Sequence, residues 1–321
     1  MAEPTQPLSR PNDSTSPHLL VIVLAWKNER FVDCFVRSLD LATRRLSDGR
    51  VTLLTLQNGS EGQVAADALE AATYGSPFEF QRLSSDVNLG YAGGMQFVAD
   101  HIDFNDFEAC LFTNLDGWFD SDALVELQRA NDEEPTWEIL VPSVRTGSKV
   151  TVALTRDRTG RFRRRGPNAE PGSRVAAGSG ACLVLSRSCL QRRIGSSGVL
   201  FHPEYHSYGE DQELFLWAHE SGIEVVAWPE MRFNHFGAGS TGDSASVAIK
   251  EDWLIVHIVS NFLTNQSIYG PHRFAHFSLG LAGYITLLAL KRPRQSCALI
   301  WKSLSSWRCK RRAVLYRRSH P

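Results

Sequence analysis

The chain has 321 residues, enough for one large domain with an appendage, and 43% of them are hydrophobic and 21% charged, as in soluble globular proteins. The net charge of −1 excludes a global attraction to nucleic acid, so no nucleic-acid partner is expected. The six cysteines form no CxxC pair and have no zinc-like spacing, which indicates reduced core thiols in a cytosolic protein.

The chain opens with a polar lead and then a strongly apolar run. Residues 1–17 are rich in Pro, Ser and Thr, which excludes a signal peptide or membrane span there and favours disorder. Residues 18–25, HLLVIVLA, are typical of a buried parallel strand. The turn Trp26-Lys27-Asn28-Glu29 follows, and apolar residues at helical spacing predict a helix over 31–46.

Strands and helices continue to alternate over the first hundred residues. Further strands are predicted over 51–56 and 78–83, with a helix over 63–72 between them. This alternation predicts an α/β fold with a mostly parallel sheet and flanking helices. Because the crossovers are right-handed, the carboxyl ends of the parallel strands should lie at one edge of the sheet.

A glycine-rich segment, residues 88–94 (NLGYAGG), precedes an apolar-periodic helix. Three glycines in five residues allow close backbone approach, and free amides at a helix N-terminus favour an anion. The segment fits neither the P-loop pattern nor the dinucleotide fingerprint, so its signal is weak when it is taken alone.

The segment 111–120, LFTNLDGWFD, ends a strand-like run in a polar turn that presents Asn114 and Asp116. Residues i and i+2 on extended backbone point the same way, so both side chains can lean toward one place at the ligand-binding edge of the sheet. An amide oxygen and a carboxylate oxygen there suit a hard cation such as Mg²⁺ or Mn²⁺. An ordinary Asx-type turn is the alternative.

The next part of the chain is predicted to hold a helix over 121–130 and a strand over 139–144. Residues 149–174 are polar and rich in arginine, which indicates either a solvated loop or a functional segment, namely a lid or a contact to an acceptor phosphate. Small residues at 178–181 precede a strand over 182–185 and let a strand or ligand approach closely.

The segment 201–211, FHPEYHSYGED, runs into a predicted helix over 212–221. Glu210 and Asp211 lie near the start of that helix, where the helix dipole stabilises carboxylates. Such a pair is usually only a helix-start signal. A strand over 223–228 follows, and then a loop that contains His235, which becomes interesting only if a third metal ligand is needed.

The C-terminal region combines an apolar segment with a basic one. Residues 274–290 are apolar for 17 positions, just short of a membrane span of about 20. From Lys291 to Pro321 there are ten Lys or Arg, no Asp or Glu, and two tryptophans. This composition suits an interfacial helix on an anionic membrane surface, and an ordinary core helix with a solvated tail is the alternative.

Taken together, the motifs resemble the inverting glycosyltransferases of family 2, which have the GT-A fold, and in particular rhamnosyltransferase-like bacterial members that build cell-surface polysaccharide. The matching pieces are VIVLAWKNE, QNGSEG, NLGYAGG, FTNLDGWFD, SGACLVLSR, FHPEYHSYGED and FNHFGAGST, from about residue 20 to 242. We therefore expect a lead over 1–17, a GT-A domain over 18–270 and a membrane-docking tail over 271–321.

The resemblance also implies residue roles. Asn114 and Asp116 stand at the DxD-type metal motif, with His235 as a further ligand of Mg²⁺ or Mn²⁺. Asp211, the second acid of the ED motif, is the implied catalytic base, and Glu210 contacts the acceptor or the base. The residues implied to line the nucleotide pocket or lie against the donor are Ala25, Trp26, Asn28, Gln57, Asn58, Asn88, Gly90, Gly93 and Asn114.

The implied activity is metal-dependent, inverting transfer of a sugar, rhamnose being the family's commonest case. The donor is a nucleoside-diphosphate sugar and the acceptor is a hydroxyl of a lipid-linked or cell-surface glycan, at the inner face of the cell membrane. Three departures weaken parts of this. Gln57 stands where the family has Asp for the base, and Asn114 is a neutral ligand. The acceptor side is unusual at His202, Pro203, His206 and Ser207.

Two other functions stay open. A non-catalytic GT-A-like module that binds a nucleotide or glycan in a membrane-docked assembly complex would explain Gln57 and Asn114. Retention of both Asp211 and His235 argues against it. Nucleotidyl transfer on a similar sheet is disfavoured because Ala25-Trp26-Lys27-Asn28 stands where a Gly-rich loop with a basic residue is expected.

Overall fold

A computed structural model describes residues 17–156, 162–164, 169–237, 247–269, 282, 285–286 and 296–319. The lead predicted over 1–17 lies outside these residues except for Pro17. The apolar segment 274–290 lies outside them except for Ala282, Ile285 and Thr286, so the prediction of an interfacial helix there stays a prediction.

One large mixed sheet forms the centre of the molecule, in the order β10-β12-β6-β11-β4-β1-β2-β3, with β5 paired to β12 and β7 to β6. Strands β3, β2, β1 and β4 are mutually parallel, β11 runs antiparallel between β4 and β6, and β12 is parallel to β6. The strands are β1 His18–Ala25, β2 Arg50–Asn58, β3 Glu79–Ser85, β4 Ala109–Thr113, β5 Gly117–Phe119, β6 Ile139–Thr146, β7 Lys149–Thr151, β8 Leu154–Arg156, β9 Phe162–Arg164, β10 Ser173–Arg174, β11 Cys182–Ser186 and β12 Val225–His235.

Helices cover both faces of the sheet, and this explains why β1 is apolar at nearly every position. Leu19, Val21 and Val23 pack into the core on one face, while Leu20 and Ile22 pack into the core on the other. The helices are α1 Val32–Arg44, α2 Gln63–Ala72, α3 Gly90–Ala99, α4 Ala123–Glu133, α5 Arg187–Ser197, α6 Glu210–Glu220, α7 Val247–Tyr269 and α8 Ser296–Ser319. The predicted α/β class with flanking helices is confirmed.

Several local predictions need correction. The turn after Asp116 contains β5, a short strand that the sequence pattern did not indicate. The strand predicted over 223–228 extends to His235, because a register shift between Trp228 and Arg232 lets it continue along β6. His235 therefore lies on a strand and not in a loop. The segment 149–174, predicted as an irregular excursion, contains β7, β8, β9 and β10.

The glycine-rich segment and the cysteines also differ from expectation. Helix α3 begins at Gly90, so Gly93 and Gly94 are inside its first turns and not in a preceding loop. All six cysteines are free, but only Cys110, Cys182 and Cys189 are buried. Cys34, Cys297 and Cys309 are exposed, because each lies on the outer side of a helix, so the prediction of core thiols is wrong for these three.

Helix α8 packs against α7 and reaches the main core. Leu299 contacts Val256 and Val259 of α7, and Val314 is fully buried in the core beside the sheet. Within the residues that the structure describes, no helix has both the length and the apolar character that crossing a membrane requires.

Candidate functional site

Asn114, Asp116 and His235 meet at the end of β4 because β5 pairs with β12. Gly117 lies opposite His235 in the antiparallel register, and the amide of Phe236 donates to the carbonyl of Asp116 at 2.9 Å. Nε2 of His235 lies 3.1 Å from Oδ1 of Asp116 and 3.2 Å from the side-chain amide of Asn114. The structure thus brings together the three side chains that the sequence predicted as metal ligands.

With the Asn114 amide oriented as it stands, Nε2 of His235 cannot satisfy both of its contacts by hydrogen bonds. The nitrogen must donate to the carboxylate of Asp116 and accept from the Asn114 amide, and one neutral tautomer does only one of these. If the Asn114 amide is turned over and Nε2 carries no hydrogen, lone pairs of the Asn114 oxygen, the Asp116 oxygen and Nε2 point toward one place. Such an arrangement suits a cation.

The spacing of these atoms also fits a small divalent cation. Two cis ligands at about 2.1 Å from an octahedral ion are roughly 3 Å apart, close to the 3.1 and 3.2 Å found around His235. Thr146 Oγ1 lies 3.5 Å from Nδ1 of His235 and helps to orient the ring. Among the described residues no group of three His, Cys, Asp or Glu side chains could hold a metal. A cation at this place would therefore need Asn114 and atoms of a ligand to complete its coordination.

Asp211 contacts Gly180, two residues before β11, and the residue after Gly180 is bonded to the end of β4. A Cβ added at Gly180 would lie 2.5 Å from Oδ2 of Asp211, so the carboxylate sits directly on that glycine. Gly180 precedes Ala181, whose carbonyl accepts from the backbone amide of Asn114 at 3.0 Å. The expectation that small residues at 178–181 permit close approach is confirmed, because Gly178 packs in the same manner on Val141.

Glu210 and Asp211 begin helix α6, and both carboxyls titrate abnormally. Burial raises the pKa of Glu210, and the neighbouring charge of Asp211 raises it further. Burial also raises the pKa of Asp211, although the backbone amides of Gln212, Gly180 and Gly209 partly stabilise its ionised form. Oε2 of Glu210 is buried and has no hydrogen-bond partner among the described residues. A carboxylate with a raised pKa is a stronger base than one in water.

The residues after β1 form a structured turn at the same edge of the sheet. Asn28 is buried and closes the turn, since its Oδ1 accepts from the Trp26 amide at 3.0 Å and its Nδ2 donates to the carbonyl of Leu24 at 3.1 Å. The indole of Trp26 donates to Glu61 at 3.0 Å. The carbonyl oxygen of Ala25 lies against Gly62, because a Cβ added at Gly62 would be 2.2 Å from that oxygen.

Gln57 and Asn58 end β2 with their side chains already engaged. Oε1 of Gln57 accepts from Arg82 at 2.5 Å and from Ser84 at 3.4 Å. Asn58, which is 2% exposed, contacts the α3 segment through Oδ1, which accepts from the Leu89 amide at 2.8 Å. Its Nδ2 donates at 3.2 Å to Oδ1 of Asn88 and to the carbonyl of Gly90. Asn58 and Asn88 were predicted to line the nucleotide pocket or lie against the donor. Their side chains also fix the conformation of residues 88–90 before α3.

The backbone amides at the start of α3 are not free, which corrects the expectation from the glycine pattern. The amide of Gly90 donates to Asn88 at 2.9 Å, that of Ala92 to the carbonyl of His206 at 2.9 Å, and that of Tyr91 to Ser207 at 3.4 Å. The protein itself therefore occupies three of the amides that an anion would need. Gly90 and Gly93 remain predicted donor contacts through close packing alone.

Sequence reasoning missed residues that support this site. Thr146 orients His235, and Tyr91 is half-buried near Glu210 and Asp211, whose charges help raise its pKa beyond the effect of burial. On α7, Asn261 and Asn265 contact the segment before Glu210. The two asparagines at positions i and i+4 in the segment SNFLTNQS share one face of a helix, which was a signal that could have identified them.

No protein-family model and no curated protein sequence matches this chain. Solved structures do match it. Residues 1–349 of TarS from S. aureus align with a TM-score of 0.51 and 13% identity over 94% of this chain and 92% of that one. A mannosyltransferase from Pyrobaculum calidifontis, solved with GDP-Man and Mn²⁺, gives 0.51 and 13% over 94% and 88%.

A third structure, GalNAc-T7 with UDP, GalNAc and Mn²⁺, aligns with a TM-score of 0.51 and 14% identity over 88% of this chain and 59% of that chain. These neighbours are GT-A glycosyltransferases. This chain has the GT-A fold. At such identities the likeness establishes the fold, and the chemistry must be argued from the side chains at the edge of the sheet.

Proposed function

We propose that this GT-A protein is a divalent-metal-dependent glycosyltransferase that moves a sugar from a nucleoside diphosphate to a hydroxyl group. The observation that carries the proposal is the meeting of Asn114, Asp116 and His235. The contact of Asp211 with Gly180, whose neighbour Ala181 is bonded to the Asn114 amide, supports it. Two of the neighbouring structures contain Mn²⁺ together with a nucleotide or a nucleotide sugar, which supports the same chemistry here.

The proposed roles follow from the charges in the reaction. Negative charge grows on the departing diphosphate, and a cation held by Asp116 and His235 supplies the stabilising positive charge when it is bound. The acceptor hydroxyl is a poor nucleophile until it loses its proton. Asp211 accepts that proton, and its raised pKa suits the task. Glu210 lies next to it and contacts the acceptor or the base.

The finer proposal is inverting transfer of the family 2 type, because one base and one cation suffice and no covalent intermediate is required. Rhamnose is the sugar that the resemblance favours, and a lipid-linked or cell-surface glycan is the proposed acceptor. Ala25, Trp26 and Asn28 line the proposed nucleotide pocket, with Gln57 and Asn58 beside them. Oε1 of Gln57 is held by Arg82, so its amide hydrogens are what it offers to a base.

The experiment is a screen of sugar nucleotides for diphosphate release by the purified protein, with Mn²⁺ and with EDTA. We expect release from one donor, which EDTA abolishes and Mn²⁺ restores. Asp211→Asn should reduce turnover by about a hundredfold or more while donor binding stays within about threefold, because the change keeps the shape and removes basicity. A fully active Asp211→Asn protein contradicts the assigned base.

The same screen separates catalysis from the alternative of a non-catalytic binding module. That module binds a nucleotide or glycan but releases no diphosphate from any donor, with or without an acceptor. Asp116→Ala serves as the second variant, since it removes the only carboxylate in the cluster around His235. Calorimetry should then show donor binding that no longer depends on Mn²⁺.

We further propose that the protein docks peripherally on the inner face of the cell membrane through α8. Exposed side chains on this helix fall at three- and four-residue spacing, so they share one face. They include Trp301, which is 70% exposed, and Tyr316, which is 65% exposed, together with Arg308 and Arg312. Aromatic rings and arginines on one face suit the headgroup region of an anionic bilayer.

Vesicle sedimentation tests this docking surface. The wild type should sediment with vesicles that contain about 30% anionic lipid and release at high salt, since each basic residue contributes about 1 kcal/mol near the surface. The double variant Arg308→Gln and Arg312→Gln should bind at least about tenfold more weakly. Equal binding of the variant and the wild type to anionic vesicles contradicts the docking proposal.

A further inference from the structure

The loop before Glu210 and Asp211 has an unusual backbone. His206, Tyr208 and Gly209 have φ values of +59°, +67° and +97°. A left-handed conformation costs a non-glycine residue about 1 kcal/mol or more, so His206 and Tyr208 persist in it only because their surroundings hold them there. The conformation of this loop sets where helix α6 begins, and therefore where both acids lie.

Two asparagines one turn apart on α7 hold the carbonyls of this loop. Nδ2 of Asn261 donates to the carbonyls of Tyr205 at 3.2 Å and Ser207 at 3.1 Å, and also to that of Tyr208. Nδ2 of Asn265 donates to the carbonyl of Gly209 at 3.3 Å. Both side chains are at least 98% buried, so water does not compete for these bonds.

Lys310 on α8 fixes the orientation of Asn261. Its ammonium group donates to Oδ1 of Asn261 and lies 3.3 Å from Nδ1 of His257. An ammonium group only donates, so Oδ1 must face Lys310 and Nδ2 must face the loop carbonyls. Lys310 is 6% exposed, and a buried charge is retained only where it is well partnered.

The same loop also contacts the start of α3 on its other side. The carbonyl of His206 accepts from the amide of Ala92 at 2.9 Å, and a Cβ added at Gly90 would lie 2.4 Å from that carbonyl. The loop is therefore held on both sides, by the asparagines of α7 and by the start of α3. Arg317, two turns beyond Lys310, adds a second link from α8 by pairing with Glu204 at 2.9 Å.

We propose that Lys310 is a positioning residue for Glu210 and Asp211, acting through Asn261 on the loop 205–209, so that α8 completes the catalytic unit. This proposal depends on the proposed function, in which Asp211 is the base. It adds a second role to a helix whose outer face carries the docking residues. It also assigns a role to a buried lysine that lies far along the sequence from Asn114 and Asp116.

Kinetics of Lys310→Met test the proposal. We expect kcat to fall about tenfold or more while KM for the donor changes less than about threefold, because the base is misplaced and the cation cluster is intact. Lys310→Arg should recover part of the loss, since it keeps the charge and the donors. Arg37→Met, which removes one exposed charge on α1, is the control and should behave as wild type.

A pH profile distinguishes positioning from a loss of stability alone. Glu210 faces Asp211 on its own helix, Lys310 on α8 and Tyr91 on α3, while Lys310 also faces Glu204, His206 and His257. The charge of Lys310 lowers the pKa of Glu210. Without that charge Glu210 should ionise at higher pH, so the limb of the kcat profile that reports Glu210 should move to higher pH.

Hydrogen exchange supplies a readout that does not require turnover. In Lys310→Met and in Asn261→Ala, the amides of residues 205–211 should exchange about tenfold faster than in wild type, and those of β4 should not change. Exchange, kcat and pH profile all equal to wild type in Lys310→Met would overturn the proposal. If the wild type transfers no sugar, the proposed function fails, and unchanged exchange in the two variants overturns the positioning role separately.

Discussion

Gly180 leaves the space that the side chain of Asp211 occupies. A Cβ at this position would lie 2.5 Å from Oδ2 and 2.8 Å from Cβ of Asp211, both closer than real contacts allow. The amide of Gly180 also stabilises the carboxylate. A methyl group there would push the proposed base away from Asn114, whose backbone amide is bonded to Ala181.

Gly180→Ala should therefore reduce kcat by about a hundredfold, since a shift of about 1 Å in a catalytic group has that effect. Donor affinity measured by calorimetry should stay close to wild type. The control is Gly195→Ala on α5, where an added Cβ meets nothing within 4 Å. The control should be fully active and slightly more stable, because alanine is the better helix former. An active Gly180→Ala protein would show that Asp211 is not the base.

The sequence allowed the identities of the site residues to be predicted better than their bonding. Asn114 and Asp116 were predicted from a strand followed by a polar turn, and His235 only from the resemblance. Their contacts depend on a register between β5 and β12 that no local pattern specifies. The amides of Gly90 and Ala92 were expected to be free, but their partners come from residues more than a hundred positions away or from a side chain in the same loop.

At the scale of elements, Asn58 joins the end of β2 to the start of α3. Its side chain bonds to the amide of Leu89, to Asn88 and to the carbonyl of Gly90, and it is almost completely buried. The bonds set the distance between the second strand and the helix that follows the third. Asn58 therefore connects β2 to the start of α3 through hydrogen bonds, whether or not it also lies near a donor.

Asn58→Ala should lower the free energy of unfolding by about 1–3 kcal/mol, because it leaves a buried amide and a buried carbonyl without partners. Chemical denaturation measures this. Asn105→Ala, at an exposed position bonded to Gln191, should cost less than about 0.5 kcal/mol. If Asn58→Ala matches the wild type in stability but loses donor binding, the Asn58 side chain binds the donor and does not stabilise the contact between β2 and α3.

The elements themselves were predicted with mixed success for physical reasons. β1 and α2 have the bounds that were predicted, since a continuous apolar run and a clear helical period leave little choice. β5 was not predicted because three residues carry no period of their own, and its pairing with β12 defines it. β12 was predicted too short because Pro229 and Glu230 interrupt its apolar pattern, and the register shift there was not foreseen.

At the scale of the whole molecule, a buried polar cluster joins α5, α6 and α7 behind the site. Arg193 and Glu213 form an ion pair in which both side chains are 1% exposed, and Tyr269 donates to the same carboxylate. His202 is buried against them, 3.7 Å from Glu213, and neither ring nitrogen has a hydrogen-bond partner among the described residues. Burial lowers the pKa of His202 to about 4.

The protein should therefore lose stability in mild acid. In the unfolded chain His202 binds a proton below about pH 6.5, whereas in the folded chain it stays neutral down to about pH 4. The free energy of unfolding therefore falls as the pH drops through this window, by up to about 3 kcal/mol. His257, whose pKa is also lowered by burial, acts in the same direction. Denaturation of His202→Gln at about pH 7 and 5 should show a shallower dependence on pH.

The control for this comparison is His219→Gln, at an exposed position near the end of α6. It should keep the pH dependence of the wild type. Because the slopes are compared and not the absolute stabilities, a destabilised His202→Gln protein remains informative. An identical slope in His202→Gln and wild type would place the acid-sensitive proton elsewhere in the molecule.

The pairing of β5 with β12 also ties ligand occupancy to folding. Asp116 and His235 are 119 positions apart in the chain, so an unfolded chain does not hold them together. If the proposed function is right, a bound cation and diphosphate therefore favour only the folded form, by about 2.7 kcal/mol at a hundredfold excess over Kd. Cells rich in the donor would then lose less of this protein to proteases than starved cells, so the abundance of the protein would follow the supply of its ligand.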